Sequence, residues 1–185
     1  FAQDPAQHFD TLQVHAGLAP DPATGSAALP IYASAAFQFD DAADGAAKFA
    51  LAKSGNVYGR LTNTTTDAVA ARIAAIEGAA GAVAVASGHA AEILAITNLA
   101  GAGDHIVVSD SLYGGTWNIL LHTLTELGVK TTFVRNNDID AFVAATTENT
   151  RLWYVETIGN PLVDVADVPA LVDAANALAS PVPVF

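Results

Sequence analysis

The chain has 185 residues, 52% of them hydrophobic and 14% charged, with 7 Lys and Arg against 19 Asp and Glu for a formal net charge of −12, and it contains no Cys. Apolar residues spread evenly at that fraction exclude a disordered chain, and the lack of any long apolar run argues against a helical membrane span. Without Cys there is no disulfide, thiol nucleophile or Cys-ligated metal, and the acidic balance disfavours a grip on nucleic-acid phosphates.

The opening ten residues have neither a basic stretch nor an apolar run of the kind that leads a secreted chain, so the expected location is the cytoplasm. A start without Met and an end inside the apolar run closing on Phe185 suggest that both ends are cut. Residues 1–56 are irregular, punctuated by Asp21-Pro22, Thr24-Gly25 and Leu29-Pro30, and they read as an extended arm with one helix near residues 42–52. Such an arm buries little against itself. Its apolar residues Leu29, Ile31, Tyr32, Phe37 and Phe39 need another surface, and a neighbouring subunit is the expected one, an arm folded back on its own domain being the alternative.

Beyond the arm, Thr65, Thr66 and Asp67 signal a helix start, Val69, Ile73 and Ile76 recur at helical spacing, and Gly78 ends the pattern. A regular alternation then begins. Strands are expected at residues 82–86, 105–109, 130–134 and 151–156, with helices at 88–99, 116–127, 139–146 and 168–179 between and after them. The runs Ile106-Val107-Val108 and Leu152-Trp153-Tyr154-Val155 suit strands buried on both faces, which implies an α/β fold: a mostly parallel sheet with helices on both faces. The division expected is an arm over residues 1–56 and an α/β domain from 57 to 185.

Ligands of open parallel sheets sit beyond the carboxyl ends of the strands. After the first expected strand comes Ser87-Gly88-His89, whose free backbone N–H groups open a helix and suit a phosphate or carboxylate, although Ser-Gly also serves simply as a helix cap. After the second comes Tyr113-Gly114-Gly115-Thr116, where a tyrosine can lie over a flat ligand or pack as an ordinary aromatic. After the fourth comes Glu156-Thr157-Ile158-Gly159-Asn160-Pro161, in which the Asn160 amide can hold a ligand oxygen or serve only as a turn former. Upstream, Tyr58 and Arg60 point to one side if their segment is extended, and Arg60 is then a candidate anion clamp or a solvated side chain. The five histidines form no metal set, there is no G-x-G-x-x-G or G-x-x-x-x-G-K-[ST], and Ser87 lacks a G-x-S-x-G elbow.

In order, Tyr58-Gly59-Arg60-Leu61-Thr62-Asn63, Ala86-Ser87-Gly88-His89-Ala90-Ala91, Leu112-Tyr113-Gly114-Gly115-Thr116 and Val155-Glu156-Thr157-Ile158-Gly159-Asn160-Pro161 resemble the pyridoxal-phosphate enzymes of cysteine and methionine metabolism. Within that family, Phe9-Asp10-Thr11-Leu12-Gln13-Val14-His15-Ala16-Gly17 and Asn98-Leu99-Ala100-Gly101-Ala102-Gly103-Asp104-His105 look most like O-acetylhomoserine sulfhydrylases. The resemblance implies a fold-type I, aminotransferase-like architecture, homotetramers built from catalytic dimers, and pyridoxal 5'-phosphate as cofactor. It further implies that Ser87, Gly88 and His89 hold the cofactor phosphate, with Tyr58 and Arg60 clamping the phosphate of the neighbouring subunit's cofactor. Tyr113 would stack on the pyridine ring and move protons, Tyr58 would share in catalysis, Asn160 would hold the ring hydroxyl oxygen, and Glu156 would stand behind them.

The activity implied is γ-replacement, O-acetyl-L-homoserine and sulfide giving L-homocysteine and acetate in methionine biosynthesis. Cystathionine γ-synthase, a γ-lyase, or a truncated non-catalytic binding subunit are the alternatives. Two positions depart from the family pattern: Asn63-Thr64-Thr65 stands where Asn-Pro-Thr is usual, which should loosen the loop behind Arg60, and His89 stands where Gln or Met is usual. The family's cofactor Asp and lysine have no counterpart among Lys48, Lys53 and Lys130, so the 185 residues alone are expected to be inactive.

Overall fold

The computed structural model describes residues 7–185; the expectation about a leader in the first ten residues falls largely outside them. Two compact units divide between Ala84 and Val85, so the expected boundary at residue 56 lies inside the first. Among the described residues no helix is long and apolar enough to cross a membrane, and no group of three His, Cys, Asp or Glu could hold a metal.

Among the described residues the first unit contains three helices, α1 (Phe9–His15), α2 (Ala42–Phe49) and α3 (Thr64–Ile76). The arm therefore carries a helix that periodicity did not reveal. At seven residues α1 is too short to hold itself, and it is kept by Arg72 on α3, whose Nε and Nη2 donate to the carbonyls of Ala16 and Val14, each at 3.0 Å. Gly17, at φ +73°, then turns the chain so close to α3 that a Cβ would strike the Ala68 carbonyl. Helix α2 opens on Asp41, whose side chain accepts from the Asp44 N–H. The Asp44 carboxylate in turn binds Lys48 at 2.7 Å and Lys53 at 2.5 Å, which holds its pKa well below the usual carboxylate range.

The second unit contains α4 (Gly88–Leu99), β1 (His105–Ser109), α5 (Gly114–Asn118), α6 (Leu124–Glu126), β2 (Lys130–Val134), α7 (Ile139–Ala145), β3 (Thr150–Tyr154) and α8 (Val168–Asn176). A π-helical turn, Ile119–Thr123, joins α5 to α6. The three strands are parallel in the order β2-β1-β3. Residues 182–185 run alongside β3 and bond to it through Trp153 N–H to Pro183 O and Val155 N–H to Phe185 O. Every residue of β1 is buried, and its side chains alternate between two cores. Ile106 and Val108, with Leu152 and Tyr154 of β3, pack against Ile96 of α4 and Leu120 and Leu124. Val107 and Trp153 pack on the opposite face against Phe142 of α7 and Leu171 and Ala175 of α8. Helices on both faces and a parallel sheet are thus the observed architecture.

One expected strand does not form. Residues 82–86 belong to no ladder, and Val83 is 85% exposed. The apolar pattern suits a strand, yet a strand exists only when a neighbour accepts its N–H and C=O groups, and none among the described residues does.

Candidate active site

The sheet ends gather the residues singled out from the second unit. Ser87 caps α4, its Oγ accepting the Ala90 N–H at 3.1 Å. The N–H groups of Gly88 and His89 find no acceptor among the described residues, and the space above Gly88 is open to at least 4 Å from where a Cβ would stand. Two free donors at the positive end of a 12-residue helix could receive an anion such as the phosphate of pyridoxal phosphate.

Tyr113 ends the loop after β1 and precedes α5. Its backbone is held twice: its N–H donates to Glu156 Oε1 at 2.8 Å, and its carbonyl accepts from Trp117 N–H at 3.0 Å. Glu156 thus acts on Tyr113 from the loop after β3. Tyr113 is 49% exposed, and its ring stands over the His89 imidazole at 5.6 Å between centroids, close to the first turn of α4. A flat heteroaromatic ligand whose phosphate sits at Gly88 and His89 finds its stacking partner here.

Asn160 lies exposed at the tip of a tight turn closed by Gly159 N–H to Asp164 O and Val163 N–H to Gly159 O. The Asn160-Pro161 bond is cis. A network that sequence reasoning missed fastens this turn to the rest of the sheet ends. Asp164 accepts from the Ser111 hydroxyl and from Asn136 Nδ2 (2.8 Å), while Asn136 Oδ1 accepts from Ser109 Oγ (3.1 Å). These bonds draw the Asp164 carboxyl below its usual pKa, the Ser111 bond most. Gly159 is buried in the same knot, where a Cβ would run into Ser111 Oγ and Asp164. No local signal marks Asp164 or Asn136, because the partners lie in three different loops.

Behind Tyr113, Thr116 is fully buried and donates to Glu92 Oε1 at 3.2 Å, and Glu92 Oε2 is buried without a partner among the described residues. Burial, then the charges of Glu92 and Glu156, push the Tyr154 phenol above its ordinary pKa, so it keeps its proton. Tyr113 is therefore the phenol at the strand ends open to a ligand.

The first unit holds Tyr58 and Arg60. Their segment is not extended beyond residue 58: Tyr58 bridges Ala36, and its carbonyl then accepts from the N–H groups of Leu61 and Thr62 in a turn. The two side chains still meet, with the Arg60 guanidinium 5.0 Å over the Tyr58 ring, where a cation is attracted by the ring's negative face. Gly59 permits this, since a Cβ there would strike the Ser34 carbonyl. The loop behind Arg60 is not loose. Asn63 accepts from Thr65 N–H and donates to Tyr32 O, and Thr64 Oγ1 accepts from Asn56 Nδ2 at 2.9 Å, a bond proline could not make.

The Cys/Met metabolism PLP-dependent enzyme family matches residues 10–184. An O-acetyl-L-homoserine sulfhydrylase of Thermus thermophilus is 47% identical over 91% of this chain and 40% of its own length. An O-acetyl-L-homoserine sulfhydrylase of Corynebacterium glutamicum is 48% identical over 91% of this chain and 39% of its own length. Among solved structures, an O-acetylhomoserine (thiol)-lyase of Campylobacter jejuni superposes with a TM-score of 0.87 at 34% identity, over 92% of this chain and 42% of that one. That structure contains N'-pyridoxyl-lysine-5'-monophosphate, a lysine joined to the cofactor. The chain spans about 40% of the length of these curated relatives.

Proposed function

The chain belongs to the Cys/Met metabolism PLP-dependent enzymes, with the fold-type I architecture and the pyridoxal phosphate cofactor of that family, and from that premise we propose that it serves the conversion of O-acetyl-L-homoserine and sulfide to L-homocysteine and acetate. What carries the reading is the juxtaposition at the strand ends of two free N–H groups and the half-exposed Tyr113 ring, together with the identity to relatives named for this substrate.

When bound, the cofactor supplies an electron sink for the substrate amino acid. Gly88 and His89 donate their N–H groups to its phosphate, with the Ser87 hydroxyl alongside. Arg60 completes the phosphate's hydrogen bonding from a partner subunit, its fork suited to paired phosphate oxygens. Tyr58 stands under that guanidinium and keeps it aimed. Tyr113 lies against the pyridine ring, and its phenol takes and returns protons at the substrate's reacting carbons. Asn160 donates its amide to the ring oxygen, and Glu156 holds Tyr113 by its N–H. Acetate leaves from the γ carbon and sulfide adds there, which balances the reaction.

The reading includes an amino-acid substrate, a homotetramer of catalytic dimers and a cytoplasmic location. It also includes inactivity of these 185 residues alone, supported by where the lysines lie. Lys48 and Lys53 are engaged by Asp44, and Lys130 begins β2, roughly 13 Å of strand away from the carboxyl end. Borohydride reduction with stoichiometric pyridoxal phosphate should give the 185-residue chain no more lysine labelling than the unfolded chain, and stoichiometric labelling of a single lysine in the folded chain alone would contradict this. The assay for the activity offers O-acetyl-L-homoserine to the cofactor-loaded enzyme with sulfide, with cysteine, and with neither. Sulfide-dependent homocysteine is expected. Ammonia released without sulfide identifies a γ-lyase instead, and preferential use of cysteine identifies a cystathionine γ-synthase.

A further inference from the structure

Tyr113 has a fixed backbone and a loosely walled ring. Glu156 and Trp117 hold its N–H and carbonyl, yet half of the side chain faces solvent, so its hydrogen bonds leave the ring free to turn about the side-chain torsions. Two features remove that freedom. The His89 imidazole, in the first turn of α4, stacks on the Tyr113 ring at 5.6 Å with 26° between the planes. Beneath both lies Gly115, whose bare Cα admits them: a Cβ there would overlap Nε2 and Cε1 of His89 and Cε1 of Tyr113 at once. Among the described residues the imidazole nitrogens make no hydrogen bond, and the ring stacks on Tyr113 and lies over Gly115.

We propose that the His89 side chain is a positioning residue that sets the angle of the Tyr113 ring at the cofactor, and that residue 115 is glycine because both rings rest on it. This rests on the reading that Tyr113 meets the pyridine ring, and it gives His89 a task separate from the phosphate contact of its backbone N–H. The geometry also explains the second glycine of Gly114-Gly115: a Cβ at position 114 would meet nothing within 4 Å, whereas at position 115 it would displace the pair.

The test compares H89A, H89F and G115A in the cofactor-loaded enzyme and in the same proteins stripped of cofactor. The ring resonances of Tyr113 are assigned by NMR with labelled tyrosine, as those lost in Tyr113→Phe. Without cofactor, H89A is expected to shift the Tyr113 ring resonances by loss of the imidazole's ring current. With cofactor, H89A should lower the visible circular dichroism of the bound ring about twofold and kcat about tenfold, with KM changed by less than about threefold. H89F, which keeps an aromatic face, should restore both, and G115A should behave like H89A although the imidazole is still present. Unchanged Tyr113 resonances in H89A overturn the proposal, as does failure of H89F to restore the dichroism and kcat. Failure of the underlying reading looks different: Y113A would leave the dichroism of the bound cofactor unchanged while H89A still shifts the Tyr113 resonances of the cofactor-free protein.

Discussion

His105 joins the two ladders that flank β1, its Nδ1 bonded to Thr150 Oγ1 and its Nε2 to Thr132 Oγ1, each at 2.8 Å. Burial, and after it the charge of Lys130, holds its pKa below the ordinary value for histidine. The unfolded chain then binds a proton near pH 6.5 that the folded chain refuses, so stability is complete above that pH and is lost as the pH falls below it. The urea midpoint should therefore drop between about pH 8 and about pH 5 more steeply for the native protein than for His105→Gln; equal slopes would remove this role. At the same scale, Arg60→Ala should weaken pyridoxal phosphate binding about tenfold or more while leaving the thermal midpoint nearly unchanged, because the side chain is exposed. Equilibrium dialysis against the cofactor measures it. Arg60, Tyr113 and Gly88 stand out in the sequence as candidates because their types suit anion binding and stacking. Asp164, Asn136 and Ser111 were not, since a hydrogen-bond knot tied between three loops leaves no spacing to read.

Elements are readable where their signals are local. Helix α8 opens on Asp167, whose carboxylate accepts the Ala170 N–H, with proline in the first turn; α7 opens on Asp138 in the same way. Asp138→Ala should cost about 1 kcal/mol of folding free energy in a denaturant titration, the usual worth of a helix cap. The strands at residues 105–109 and 130–134 form where their apolar patterns place them, and Phe142, fully buried against Trp153, marks the inner face of α7. Phe142→Ala should cost about 3–5 kcal/mol, because the vacated ring cannot be refilled by its neighbours. The segment 82–86 has the composition of a strand without being one, and α1 is a helix without helical periodicity. Both exceptions have one cause. Pairing and docking depend on distant residues: residues 82–86 find no ladder partner among the described residues, while Arg72 docks α1.

At the scale of the whole molecule, several large apolar residues are open to solvent: Ile31 is 86% exposed, Leu51 92% and Val83 85%. Unpaired apolar backbone such as residues 82–86, which join no ladder among the described residues, is a template for pairing. The 185-residue chain expressed alone should associate or aggregate, and light scattering at increasing concentration should show a mass above the 18.9 kDa of one copy. Val83→Lys should reduce that association; a soluble monomer from the native sequence would refute the expectation.

Apolar runs and glycine-marked turns were enough to determine a parallel α/β sheet, because periodicity and turn chemistry are short-range regularities that the sequence expresses directly. The family was legible in another way, from the resemblance of four motifs in the loops. The tertiary structure alone decided that Arg60 reaches Tyr58 through a turn, that Asp164 ties down the Asn160 loop, and that His89 and Tyr113 share the space over Gly115. Those contacts join residues far apart in the chain, and contact energies of that kind come into being only after the backbone has been folded to bring the partners together.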